Sequence, residues 1–73
     1  MAVEIRYCPT CSSYDVRAAS LAAELNANGL DAAIVEGAKS QFDVISDGEL
    51  VFSKQQRGRF PEHSEILATL ETA

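Results

Sequence analysis

The chain has 73 residues, of which 47% are apolar and 23% charged, and it contains no tryptophan. Eleven of the apolar residues are alanine, so the large core formers suffice for one thin core, and a single domain over residues 1–73 is expected. Eleven acidic against six basic side chains give a formal net charge of −5, which argues against a phosphate-neutralising nucleic-acid surface, and the apolar runs are far shorter than the ~20 residues that cross a bilayer.

Met1-Ala2-Val3-Glu4-Ile5-Arg6 has neither a basic leader nor a long apolar stretch, so no signal peptide and a cytoplasmic location are expected. Val3 to Tyr7 alternates apolar and polar residues, the pattern of a strand with one buried face. Cys8-Pro9-Thr10-Cys11 follows directly. From Ser12 to Asn28 the period becomes helical, with Tyr14, Ala18, Leu21, Ala22 and Leu25 on one stripe and Gly29 as the natural end. Asp31 to Glu36 reads as a second strand, its Ala33-Ile34-Val35 run suited to burial on both faces. Phe42–Ser46 and Glu49–Lys54 read as two more strands joined by Asp47-Gly48, a strong hairpin signal. Gln55–Phe60 reads as polar loop. Pro61 suits the first position of a final helix, with Glu62 at its positive end and Ile66, Leu67 and Leu70 as its apolar stripe. The order β-α-β-β-β-α predicts an α/β fold with a mixed four-stranded sheet and both helices on one face.

Cys8 and Cys11 are the only cysteines. A bridge between them closes so short a loop that it stabilises by only about 2 kcal/mol on the loop-entropy model. Chemistry is the better reason for the spacing, and in the cytosol a CxxC is catalytic or metal-binding more often than structural. The thiolate is the reactive form, and a helix N-terminus favours it. On that reading Cys8 is exposed at the start of the helix and attacks, while Cys11, one turn inside, resolves the mixed disulfide. Pro9 fits the first helical position. A later start, with Ser12 as cap and Asp15 completing a capping-box-like pair, leaves Cys8 at the same end.

Tyr7-Cys8-Pro9-Thr10-Cys11 after a first strand, an alanine-rich helix, and Gly58-Arg59-Phe60-Pro61-Glu62 before a last helix resemble the Rdx family related to selenoprotein W, over essentially the whole chain. Family members carry Gly-Gly-Phe-Pro where this chain has Arg59 in place of the second glycine. The resemblance implies a compact thioredoxin-like fold in two layers and thiol–disulfide redox chemistry linked to glutathione. It implies no bound cofactor and no metal, with glutathione as co-substrate or a dedicated protein thiol or disulfide as partner. Thioredoxins themselves have a tryptophan before the CxxC and a proline facing it. This chain has neither, its facing segment being Lys39-Ser40-Gln41-Phe42, so a small thiol or one dedicated partner is expected rather than general disulfide reduction.

The neighbours of the pair have a plain reading beside the functional one. Tyr7 shields the thiolate or, alternating with Val3 and Ile5, packs in the core. Thr10 tunes the redox balance by its place in the motif. Ser12 caps the helix or donates to the Cys8 sulfur. Phe60 offers a substrate platform or packs onto Ile66 or a strand, and His63 is a solvated residue of a first helical turn. Lys39, Lys54, Arg57 and Arg59 are expected along one rim of the CxxC, where cations favour a thiolate and hold carboxylates. Two other classes are carried forward. A redox-responsive adaptor would use the uncovered sheet face, with Ile45 or Val51, for a partner or a weak homodimer. A soft-metal chaperone would bind Cu(I) through the two thiolates, but that class ends on a strand where this chain reads as helix.

Overall fold

The computed structural model describes residues 2–71; the ends of the expected domain, Met1 and Thr72-Ala73, lie outside the described residues. The elements are β1 (Ala2–Tyr7), α1 (Tyr14–Ala27), β2 (Asp31–Glu36), β3 (Phe42–Ser46), β4 (Glu49–Ser53), α2 (Lys54–Arg57) and α3 (His63–Glu71). They build one mixed sheet in the order β2-β1-β3-β4. β1 is parallel to β2, with Ile5 opposite Ile34, and antiparallel to β3, with Ile5 opposite Val44. β3 and β4 are antiparallel, with an irregularity between Val44 and Ile45.

The period-2 alternation of β1 is realised as expected. Val3 and Ile5 are buried, and Glu4 and Arg6 form an exposed ion pair with each other. Phe42, Val44 and Phe52 continue the buried face, and Ala18, Leu21 and Leu25 of α1 and Ile66 and Leu70 of α3 close over it. Each large side chain fully buried there contributes about 1.5–3 kcal/mol, and this single layer of contacts fixes where the first strand ends and the CxxC begins. The final segment is helix, so the βαββαβ order of the soft-metal chaperones is not the order of this chain.

The Asp47-Gly48 turn has φ of 50° and 86° at its two residues, the left-handed pair that the expected two-residue hairpin requires. α1 ends at Asn28-Gly29, with Gly29 at φ 84° and the Leu30 amide donating to the Leu25 carbonyl at 3.1 Å. The Asn26 side chain then takes both backbone groups of Ala32, at 3.0 and 3.1 Å, and so ties the start of β2 to the helix.

Three expectations are corrected. β2 is an edge strand, and Ile34 and Val35 are 41% and 36% exposed rather than buried on both faces. A continuous apolar run does not distinguish a central strand from an edge, and here acidic Asp31 and Glu36 at its two ends guard the open edge. Lys54–Arg57, read as strand end and loop, is one helical turn closed by Gly58 at φ 74°. The last helix begins at His63, two residues after Pro61.

Candidate functional site

β1 delivers Cys8 at its end, and the chain turns through residues 8–13 before α1 starts at Tyr14. Cys8 and Cys11 are disulfide-bonded, with their Cα atoms 5.4 Å apart. Cys8 is fully buried and Cys11 half-buried. The exposure expected at Cys8 therefore belongs to Cys11. The cause is local: Ser13 sits in the left-handed region at φ 68° with no side-chain cap bond, and α1 begins only after it. The pair lies ahead of the helix, and the expected capping-box-like pair of Ser12 and Asp15 does not form.

Cys8 is held from two sides. Its amide donates to the Gln41 carbonyl at 2.9 Å, and the Thr10 hydroxyl lies 3.5 Å from its sulfur. Since the sulfur of a disulfide carries no proton, the hydroxyl is the donor. The 37–41 connection that supplies Gln41 is itself braced. The Gly37 amide donates to the Tyr7 carbonyl at 2.7 Å, and the Gln41 amide to Ala38 at 3.1 Å. The Gln41 side chain accepts from the Ala38 amide and donates to Asp43, both at 2.7 Å. A Cβ on Gly37 would meet the end of that side chain and displace it from its bond to the Ala38 amide. Gln41 thus stands in the segment facing the CxxC and acts through its backbone.

Beside the CxxC loop lies an aromatic cluster. The Tyr14 amide approaches the Cys11 carbonyl at 3.5 Å, and the Tyr14 ring meets Phe42 at 6.2 Å and Phe60 at 5.0 Å, edge to face. Phe60 and Phe42 meet at 5.3 Å. Such pairs contribute about 0.5–1.5 kcal/mol beyond the area they bury. Cations cover the rings: Arg17 at 4.1 Å and Lys54 at 5.4 Å from the Phe60 centroid, and Arg57 at 5.6 Å from that of Phe52.

The expected site residues divide as follows. Tyr7 is half-buried and packs against the core, while Pro9, Thr10 and Ser12 are exposed on the CxxC turn. Phe60 packs on Tyr14 and Phe42, not on Ile66 alone, and keeps part of its surface open. Lys39 is exposed on the connection that ends at Gln41. Arg59 lies over the Phe52 ring, 5.4 Å from its centroid, and pairs with Glu65 at 2.7 Å. That hydrogen bond holds the Glu65 carboxyl below its ordinary range and raises the Arg59 guanidinium further. Arg59 is not among the left-handed residues, so a side chain replaces the second glycine of the motif without backbone strain. His63 is half-buried, 3.7 Å from Glu24, and lines a groove with Arg17. Arg17 and the bracing by Gln41 went unforeseen; Arg17 was open to inference, being three residues beyond Tyr14 on the same helix side. Among the described residues no three His, Cys, Asp or Glu side chains converge as a metal site, and no helix is long and apolar enough to cross a membrane.

A bonded CxxC at the end of the first strand, on a mixed sheet with helices closing one face, defines the compact thioredoxin-like class. A sequence profile of the Rdx family matches residues 2–72, and the chain belongs to that family. A crystal structure of a protein from Bordetella parapertussis superposes with a TM-score of 0.87 at 28% identity, covering 97% of this chain and 94% of that one. A crystal structure of a selenoprotein W-related protein from Vibrio cholerae gives a TM-score of 0.85 at 24% identity, over 97% and 92%. No curated protein matches the chain.

Proposed function

We propose that the protein is a thiol–disulfide oxidoreductase of the cytoplasm, in which the Cys8–Cys11 pair exchanges two electrons with a partner disulfide and is recharged by glutathione. The observation that carries the reading is the bonded pair itself, with Cys11 half-buried and Cys8 fully enclosed. A bridge over four residues stabilises by about 2 kcal/mol, the low end for disulfides, so redox chemistry is the better reason for the spacing.

The unequal burial sets the order of events. In the reduced protein the Cys11 thiolate attacks one sulfur of the partner disulfide, and the partner's other sulfur leaves as a thiolate. The Cys8 thiolate then attacks the Cys11 sulfur. This forms the internal disulfide and releases the partner's second thiol. Two glutathione thiolates reverse the change: the first attacks the Cys11 sulfur and expels Cys8, the second removes the bound glutathione as its disulfide. In that direction Cys8 is the leaving group, and the Thr10 hydroxyl beside its sulfur stabilises the charge it acquires. The test is turnover with glutathione and a small disulfide, together with mass analysis of Cys8→Ser and Cys11→Ser. Cys8→Ser should accumulate a mixed disulfide at Cys11. No turnover and no adduct on either variant would return the protein to the adaptor reading.

A further inference from the structure

A groove of about 220 Å³ runs between α1 and the Phe60-Pro61 loop. Phe42, Leu21 and Phe60 form its floor, and Val16, Arg17 and His63 its rim. Pockets that enclose a whole small molecule measure about 300–1,000 Å³. This one has room for a single apolar side chain. Val16, on the rim, is 65% exposed, an open apolar contact with no partner inside the fold.

The charge around the groove is unlike that of the rest of the molecule. Net charge is −5, yet Arg17 and Lys54 lie on the aromatic cluster, and Arg57 lies beside Arg59 over the ring of Phe52. Among the described residues Arg17, Lys54 and Arg57 form no salt bridge, whereas Glu65 is paired with Arg59. A guanidinium stacked on a ring keeps its N–H edge free for a carboxylate, and the stacking fixes it beforehand, so less freedom is lost on binding. Lys54 also lies 5.6 Å from the Tyr14 centroid, and Tyr14 adjoins Cys11. Arg17 thus borders the groove, and Lys54 covers the ring of the residue whose amide meets the Cys11 carbonyl.

We infer that this surface docks an acidic segment of a protein partner, one apolar side chain seated in the groove and carboxylates set over Arg17, Lys54 and Arg57, which brings a cysteine of that segment to Cys11. The inference rests on the proposed redox function for its last clause only. The net charge of −5 disfavours such a segment over the molecule as a whole, so complementarity supplies orientation and encounter rate more than raw affinity.

The test uses the full chain and two readouts. First, a fluorescent peptide of Glu and Leu with serine at the cysteine position is titrated onto the oxidised protein, beside peptides with Gln or Lys in place of Glu. The acidic peptide should bind at least tenfold more tightly than the neutral one at low salt, and lose most of that advantage at high salt. Arg17→Gln/Lys54→Gln should remove it, and Val16→Ser, at an exposed position, should weaken the leucine-bearing peptide alone. Equal binding of the three peptides, or indifference to both variants, overturns the inference. Second, the reduced protein is reacted with the same peptides carrying a mixed disulfide and with uncharged hydroxyethyl disulfide. Docking predicts a faster reaction with the acidic peptide, and in Arg17→Gln/Lys54→Gln the loss of that preference relative to hydroxyethyl disulfide. A failure with every disulfide, with acidic binding intact, overturns the redox reading and leaves the docking surface standing. Reaction with hydroxyethyl disulfide but no preference for the acidic peptide over the neutral one overturns the docking surface.

Discussion

Removing the disulfide by reduction exposes the inequality on which the proposed order of attack rests. Cys8 is fully buried, and its amide is bonded to the Gln41 carbonyl at 2.9 Å. To meet an alkylating reagent, Cys8 must break that bond, at about 1 kcal/mol, and bring its methylene and sulfur into water, at roughly another 1 kcal/mol. Cys11, half-buried on the turn, needs neither. A local opening of about 2 kcal/mol slows Cys8 by roughly thirtyfold. The assay is iodoacetamide labelling of Cys8→Ser and Cys11→Ser, each followed by mass over a pH series. The rates are compared on the high-pH plateau, where both sulfurs are thiolates and differences in ionisation drop out. Labelling of the Cys8→Ser protein, which reports Cys11, should be the faster by that order. Equal plateaus, or a faster Cys8, would refute the reasoning and restore the order in which Cys8 attacks.

Other outcomes follow from the same contacts. Reducing the disulfide should lower stability by about 2 kcal/mol, or roughly 10 °C in Tm; unfolding on reduction, seen by circular dichroism, would mark the bridge as a structural staple instead. Thr10→Val removes the hydroxyl beside the Cys8 sulfur and should slow opening of the disulfide by glutathione about fivefold, whereas an unchanged rate would leave Thr10 without a part in the step. Ile66→Ala, at 1% exposure, should destabilise the fold by about 2–5 kcal/mol, while Leu50→Ala, at 49%, should stay within about 0.5 kcal/mol in urea unfolding. Because the Arg59 bond holds the Glu65 carboxyl below its ordinary value of 4.5, the pair stabilises the fold above that pH and loses its effect as pH falls through the depressed value. Glu65→Gln should therefore be less stable than the wild type at neutral pH, with the difference closing only in acid.

The strands of this fold were legible because their signals are local. β1 alternates strictly, and Asp47-Gly48 supplies the two left-handed residues of the hairpin. What failed was set by neighbours. The Ala33-Ile34-Val35 run is the same whether β2 lies at the centre or the edge, and only the sheet order decides its exposure. The CxxC was read onto the first turn of α1 because Pro9 and the serines favour a helix start. Ser13, in a left-handed conformation that no propensity announces, moved that start to Tyr14 and exchanged the burial of the two cysteines. The basic rim was legible in part. Lys54 and Arg57 do gather on one side, Arg59 shares the Phe52 ring with Arg57 while paired with Glu65, and Arg17 joined through a ring face that becomes visible only once Phe60 packs on Tyr14.

The central claim, that the Cys8–Cys11 pair is opened and closed in function, is tested most directly by equilibrating the protein across a series of glutathione redox buffers. The fraction of each state is read by acid quenching, alkylation and mass. The account predicts a fully reversible two-electron transition with a midpoint above about −300 mV, inside the reach of the glutathione pool. A pair that stays oxidised across the whole series would contradict it and leave the bridge a structural bond.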